Sequence, residues 1–243
     1  MTLSSLALAL VVLLACTTQA LAGFGSTVVC MTLAALWLPI PWLLPIIVAL
    51  NVPFSAWLVW QQRRVIAWPL LRREILPLMV IGAAAGALCA PLLMQATMLR
   101  PLYGALIIAL SVLDLWRLRR ARAWHAPGPL RTAMIAGSGF VQGLYASGGP
   151  LLAAAMSGSG LNKSGLRATM LVVWLTLNSG LTAWFVATGR FSAGMAQTAA
   201  WLLPVSFLGL WIGSRLHDRV DERQFRLAMD LLLLFAGAAL LFE

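Results

Sequence analysis

The chain has 243 residues, of which 61% are hydrophobic and only 10% charged. Soluble domains are about 45–50% apolar and about 25% charged, so one soluble core is excluded and lipid must cover the excess. Seventeen Lys and Arg against seven Asp and Glu give a net charge of +10, but the cations cluster between long apolar runs, as in the loops of a multi-pass membrane protein, which argues against a nucleic-acid partner.

Residues 1–22 are apolar and end in Ala-Leu-Ala, with Leu13-Leu14-Ala15-Cys16 resembling a lipoprotein cleavage box. No Lys or Arg precedes Arg63. A secretory signal needs a positive leader, so the segment is expected to be a membrane helix. Further helices are predicted over 27–38, 42–60, 75–94, 101–116, 131–144, 150–161, 165–187, 195–215 and 225–242. Crossing a hydrocarbon core of about 30 Å takes about 20 helical residues, so the second and seventh segments are too short to span. Pro45, Pro53, Pro77, Pro91 and Pro204 lie inside these runs, where bundled membrane helices tolerate them.

The pattern repeats. At an offset of 127, Asn51 matches Asn178, Trp57 matches Trp184, Arg63 matches Arg190, Pro77 matches Pro204, Gly82 matches Gly209 and Gly86 matches Gly213. Nearer the start of each copy the offset is 123, pairing Gln19 with Gln142, Leu21 with Leu144 and Gly25 with Gly148. The expected organisation is a first unit over 1–116, a basic linker over 117–130 and a second unit over 131–243. Duplicated halves are typical of transporters.

Each unit opens with a long helix, a Gly-rich break (Gly23-Phe24-Gly25-Ser26; Tyr145-Ala146-Ser147-Gly148-Gly149-Pro150) and a short helix. If long and short helices form a hairpin that returns to its own side, three spanning helices follow in each unit and the copies are inverted. With a cytoplasmic linker this places fifteen basic residues inside and leaves Arg100 and Arg190 outside. If the pair crosses together, the split is ten against seven. The positive-inside rule selects the hairpin arrangement, with both termini outside. The expected fold is all-α: a polytopic integral membrane protein of two homologous, inverted halves.

The Gly-Phe-Gly-Ser break after the first helix, the Ser-Gly-Gly-Pro break after a basic linker and the duplicated helix with a Gly-x-x-x-Gly pair resemble the TauE/SafE-type sulfite exporter family, also called the toluene sulfonate uptake permeases. The resemblance covers nearly the whole chain. It implies a multi-pass carrier in a bacterial inner membrane that moves small anions such as sulfite, sulfonates or related organic anions.

A broken helix frees backbone N–H groups, and the short helix that follows aims its positive dipole end at the gap. Such ends bind anions without a buried cation. The candidate substrate site is therefore Gly23, Gly25, Ser26, Thr27, Ser147, Gly148 and Gly149. The amides Gln19, Gln142, Asn51 and Asn178 join it, since an amide in an apolar helix must face a partner, a cavity or a ligand. Packing of small residues is the structural alternative for the glycines, and an interhelical hydrogen bond is the alternative for the amides. Gly82, Gly86, Gly209 and Gly213 are read as helix contacts. Trp42, Trp60, Trp68, Trp116 and Trp124 are read as interface anchors, as Trp57 and Trp184 can also be. Arg63 and Arg190 either focus anions at two vestibules or only snorkel.

Cys16, Cys30 and Cys89 lie in apolar runs without metal spacing, and His125 and His217 fall in charged loops. No metal, cofactor or catalytic set is therefore expected. Asp230 lies inside a predicted span at i, i+4 spacing from Arg226, and Asp114 lies near the end of another. Neither identifies a coupling ion. Partners are a small anionic substrate and the bilayer, with no nucleic acid; the oligomeric state is open, a homodimer being one option. Two other classes are weighed: an integral membrane enzyme, for which only His217, Asp218, Asp221 and Glu222 offer polar chemistry, and a non-transporting membrane subunit that keeps the fold.

Overall fold

The computed structural model describes residues 3–22, 25–94, 99–119, 127–156, 159–216 and 222–242. Among these every regular element is helical. In the N-terminal half they are α1 (Leu3–Ala22), α2 (Ser26–Ala34), α3 (Ile40–Gln62), α4 (Trp68–Leu70), α5 (Leu76–Met94) and α6 (Leu99–Arg119). In the C-terminal half they are α7 (Gly128–Tyr145), α8 (Gly149–Ala155), α9 (Lys163–Ala187), α10 (Ala193–Leu216) and α11 (Glu222–Phe242). Each expected segment is present. Among the described residues five stretches are long and apolar enough to cross a membrane: Leu3–Leu21, Ile40–Val65, Trp68–Leu92, Ser164–Ala187 and Ala193–Leu216. The chain is a multi-pass membrane protein.

Boundaries differ from expectation at α4 and at the ends of both short helices, α2 stopping at Ala34 rather than 38. The helix expected from residue 75 begins at Trp68, because Pro69 suits a first helical turn and the α4–α5 junction is bridged by a wider π turn over Leu71–Ile75. There the Leu76 N–H reaches back to Leu71 O, just before Pro77, which has no N–H for the ladder. In the C-terminal half the short helix ends at Ala155 rather than near residue 161.

Glycine sets how the halves meet. A β-carbon on Gly82 would lie 2.2 Å from Ala136 O, one on Gly86 2.2 Å from Phe140 O, and one on Gly143 2.1 Å from Ala83 O. Residue numbers rise together along this seam, so α5 and α7 run parallel in backbone contact. The α1–α10 seam is built likewise: Gly209 faces Leu13 O and Gly213 faces Thr17 O, at 2.7 and 2.6 Å from the added carbon. The α6–α11 contact has the opposite sense. Gly104 faces Leu240 and Leu241, whereas Gly237 faces Ile107 and Ile108, so these two helices run antiparallel. Helices α3 and α9 pack together at the centre, while α1 holds α2 and α7 holds α8.

Polar side chains mark the helix ends. Arg63 lies over Trp60, Arg72 over Trp68 and Arg215 over Trp211, at 5.9, 4.9 and 4.4 Å from the ring centres. Trp57, Trp60, Trp68, Trp116 and Trp184 are each partly exposed on the outer surface, as expected where rings anchor in an interface. Trp124 lies outside the described residues, as do His125, His217, Asp218 and Asp221.

Candidate functional site

The two breaks form by different local means. Gly25 caps α2 with φ 104°, a left-handed conformation that a side chain would strain. After α7, Ala146 adopts φ 53° and its N–H returns to Gln142 O. Gly148 then caps α8, and there space rather than torsion requires glycine: an added β-carbon would lie 2.2 Å from Ser138 O. Nine- and seven-residue helices rise about 1.5 Å per residue, so neither α2 nor α8 can span. Neither N-terminus is capped by a side chain, which leaves first-turn N–H groups directed toward the breaks.

The four amides meet at the centre as one directed chain. Gly148 N–H donates to Gln142 Oε1 (3.1 Å), Gln142 Nε2 to Asn178 Oδ1 (2.9 Å), and Asn178 Nδ2 to Asn51 Oδ1 (2.9 Å). Asn51 Nδ2 donates in turn to Gln19 Oε1 (3.1 Å) and to Ser26 Oγ (2.9 Å), while the Ser26 hydroxyl donates to Gln19 Oε1. Ser55 Oγ adds a bond to Asn51 Oδ1 at 2.7 Å. All four amides are buried, so this pairing is what allows them to sit in an apolar bundle.

The chain has a donor end. Gln19 Nε2 is buried and has no acceptor among the described residues, and the same holds for the indole Nε1 of Trp174. Gln19 and Trp174 line one small cavity together with Gly25, Thr27, Asn51 and Gly149. Its volume is about 10 Å³, room for about one water. Leaving a buried donor without an acceptor costs about 1–3 kcal/mol. Two such donors beside an uncapped helix N-terminus therefore favour an acceptor-rich, donor-poor ligand, which describes an oxyanion.

The structure thus gathers Gly25, Thr27, Gly149, Gln19, Gln142, Asn51 and Asn178 at one cavity. Ser26 and Gly148 lie one bond away and orient the two glutamines. Ser147 has another role. Its hydroxyl donates to Tyr145 O and contacts Tyr103 Oη at 3.0 Å, pinning α6 to the second break. Gly23 lies outside the described residues. Sequence reasoning missed Trp174 and Tyr103. Trp174 carried a signal, since it precedes Asn178 by four residues and so shares its helix face. Asp230 is buried in α11, and the Arg226 side chain lies outside the described residues.

No curated protein and no solved structure matches the chain. A family model does: the one described as sulfite exporter TauE/SafE, over residues 8–240. With that match running through both breaks and every spanning helix, the chain belongs to the sulfite exporter TauE/SafE family of membrane transporters.

Proposed function

We propose that the protein is a secondary carrier of small oxyanions, sulfite and sulfonates foremost, in a bacterial inner membrane, and that it binds them at the cavity between Gln19, Trp174 and the N-terminus of α2. The observation that carries this reading is the pair of buried N–H donors without acceptors on that cavity. A sulfite oxygen accepts from both donors and from first-turn N–H groups of α2 without offering a proton that the site has no means to accept. No buried cation is needed, because the helix end supplies the positive potential.

A cavity for about one water is too small for sulfite, so binding requires the helices around it to separate. Alternating access supplies that motion. In this reading residues 1–116 and 131–243 are inverted units that exchange roles around the amide chain, joined by the basic segment 117–130. The antiparallel α6–α11 contact and the parallel α5–α7 and α1–α10 seams support the inversion, and the fifteen-to-two split of basic residues supports the orientation.

Sulfite flux into proteoliposomes tests the proposal, with Gln19→Glu as the matched variant. Glutamate keeps an oxygen for Ser26 and Asn51 but replaces the donor amide with a group that repels or competes with the anion. Wild-type flux with at least about a hundredfold loss in the variant, at equal melting temperature, is expected from losing a charge-assisted donor and adding repulsion. Equal flux in both proteins sinks the site. No flux of sulfite, thiosulfate, a sulfonate or a small carboxylate in the wild type sinks the carrier reading.

A further inference from the structure

A second cavity, of about 670 Å³, lies between α3, α9 and α10, within the range of about 300–1,000 Å³ usual for small-molecule sites. Its one charged lining residue is Arg167. The guanidinium Nη2 donates to Ala20 O at 2.6 Å, but Nε is buried with no acceptor, and among the described residues no carboxylate pairs with it. A helix-terminal carbonyl offsets part of a buried positive charge. The remainder calls for an anion.

The walls indicate which kind. Gln61, Gln62 and Ser214 supply neutral polar groups near Arg167, while Trp57, Phe207 and Trp211 supply apolar ones. Those three rings are each more than a third exposed on the outer surface of the bundle, on the membrane-spanning stretches Ile40–Val65 and Ala193–Leu216. The cavity therefore opens onto acyl chains. At its polar end the chain continues directly into Arg63 and Arg64 after Gln62, and into Arg215 after Ser214. A basic pocket between spanning helices, with aromatic rings toward lipid, is the arrangement that recognises anionic headgroups.

We infer that this cavity is a site for an anionic phospholipid, its phosphodiester at the Arg167 guanidinium and its acyl chains along Trp57, Phe207 and Trp211. The site is one-sided. At the repeat offset of 127, Arg167 corresponds to Ile40, so the other half has no matching cation. It is also separate from the oxyanion cavity, which shares none of its lining residues.

The test uses the purified full chain, stripped of lipid in detergent, with native mass spectrometry and thermal unfolding. Added phosphatidylglycerol is expected to bind and raise the melting temperature where phosphatidylcholine does not, and millimolar inorganic phosphate is expected to leave it unchanged. Arg167→Gln removes one charge-assisted contact and is expected to weaken phosphatidylglycerol binding about tenfold. Should that variant not fold, Ser214→Phe narrows the cavity from an exposed position and is expected to weaken lipid binding in the same way. Gln19→Glu should bind phosphatidylglycerol as the wild type does, even if the transport reading fails. Equal stabilisation by both lipids overturns the inference, as does undiminished phosphatidylglycerol binding in the folded variants. A phosphate shift matching that of the lipid assigns the cavity to a free anion and overturns the lipid site.

Discussion

The first break (Gly25, Ser26, with Gln19) and the second (Gly148, Gly149, with Gln142) occupy matched positions at offset 123, yet they use their glutamines in opposite ways. Gln142 is paired at both atoms: its oxygen takes the Gly148 N–H and its nitrogen donates to Asn178. Gln19 accepts twice and keeps its nitrogen unspent at the cavity. The cause is a difference at matched residues. Ser26 corresponds to Gly149, so only the first break has a hydroxyl at the position that bonds the glutamine oxygen; Ser147 of the second break donates to Tyr145 O instead. Thr27 corresponds to Pro150, so only α2 keeps that first-turn N–H. Trp174 corresponds to Ile47 at offset 127, so only α9 brings an indole donor. On the proposed carrier reading, the two breaks share one scaffold, the first supplying the binding donors and the second acting as a brace.

The comparison is broken hardest by exchanging the glutamines for leucine. Gln142→Leu orphans the Gly148 N–H and one Asn178 oxygen, each worth about 1–3 kcal/mol when buried. Gln19→Leu takes the acceptor from the Ser26 hydroxyl, but it leaves Asn51 Nδ2 still bonded to Ser26 Oγ and removes a donor that was unpaired. Thermal unfolding in detergent is therefore expected to show a much larger loss for Gln142→Leu, whereas anion binding should be lost in folded Gln19→Leu. Equal destabilisation by the two substitutions would mean that both glutamines are braces.

A smaller effect sharpens the assignment of Trp174. Trp174→Phe removes the N–H and keeps most of the ring. Stability without ligand is expected to hold within about 1 kcal/mol, because lost ring volume is offset by release of an unpaired donor. Oxyanion affinity, read by calorimetry or ligand-induced thermal shift, should fall about tenfold. A large loss of stability with unchanged affinity would make the indole a packing group.

The architecture was legible in the sequence because lipid imposes long apolar helices and because two copies of one pattern corroborate each other at Asn51 and Asn178, or Gly86 and Gly213. The multi-pass, all-helical fold and the family follow from those signals. Partner choice was not legible. Two matched amides per half read as two local pairs, and nothing in either half tells that Asn178 bonds to Asn51 across 127 residues. Trp174 was hidden by its kind: among eleven tryptophans, interface anchoring is the ordinary explanation. In the sequence Arg167 reads only as a loop charge, although α9 begins at Lys163 and carries it into the bundle.

The smallest expected effect comes from the residues four positions beyond the two asparagines. Ser55 and Thr182 match at offset 127, but Ser55 Oγ donates to the side-chain oxygen of Asn51, whereas Thr182 Oγ1 donates to the backbone oxygen of Asn178, both at 2.7 Å. A hydroxyl returned to its own helix carbonyl adds almost nothing to stability, while one that orients a buried amide is worth about 1 kcal/mol. Ser55→Ala is thus expected to lower stability by about 1 kcal/mol, and Thr182→Ala by less than half of that. Asn51 keeps its bond from Asn178 in the first variant, so the amide chain persists and anion affinity should change by no more than about twofold. Reversed magnitudes, with Thr182→Ala the more damaging, would place the oriented end of the chain in the second half and undo the assignment of the binding end to the first.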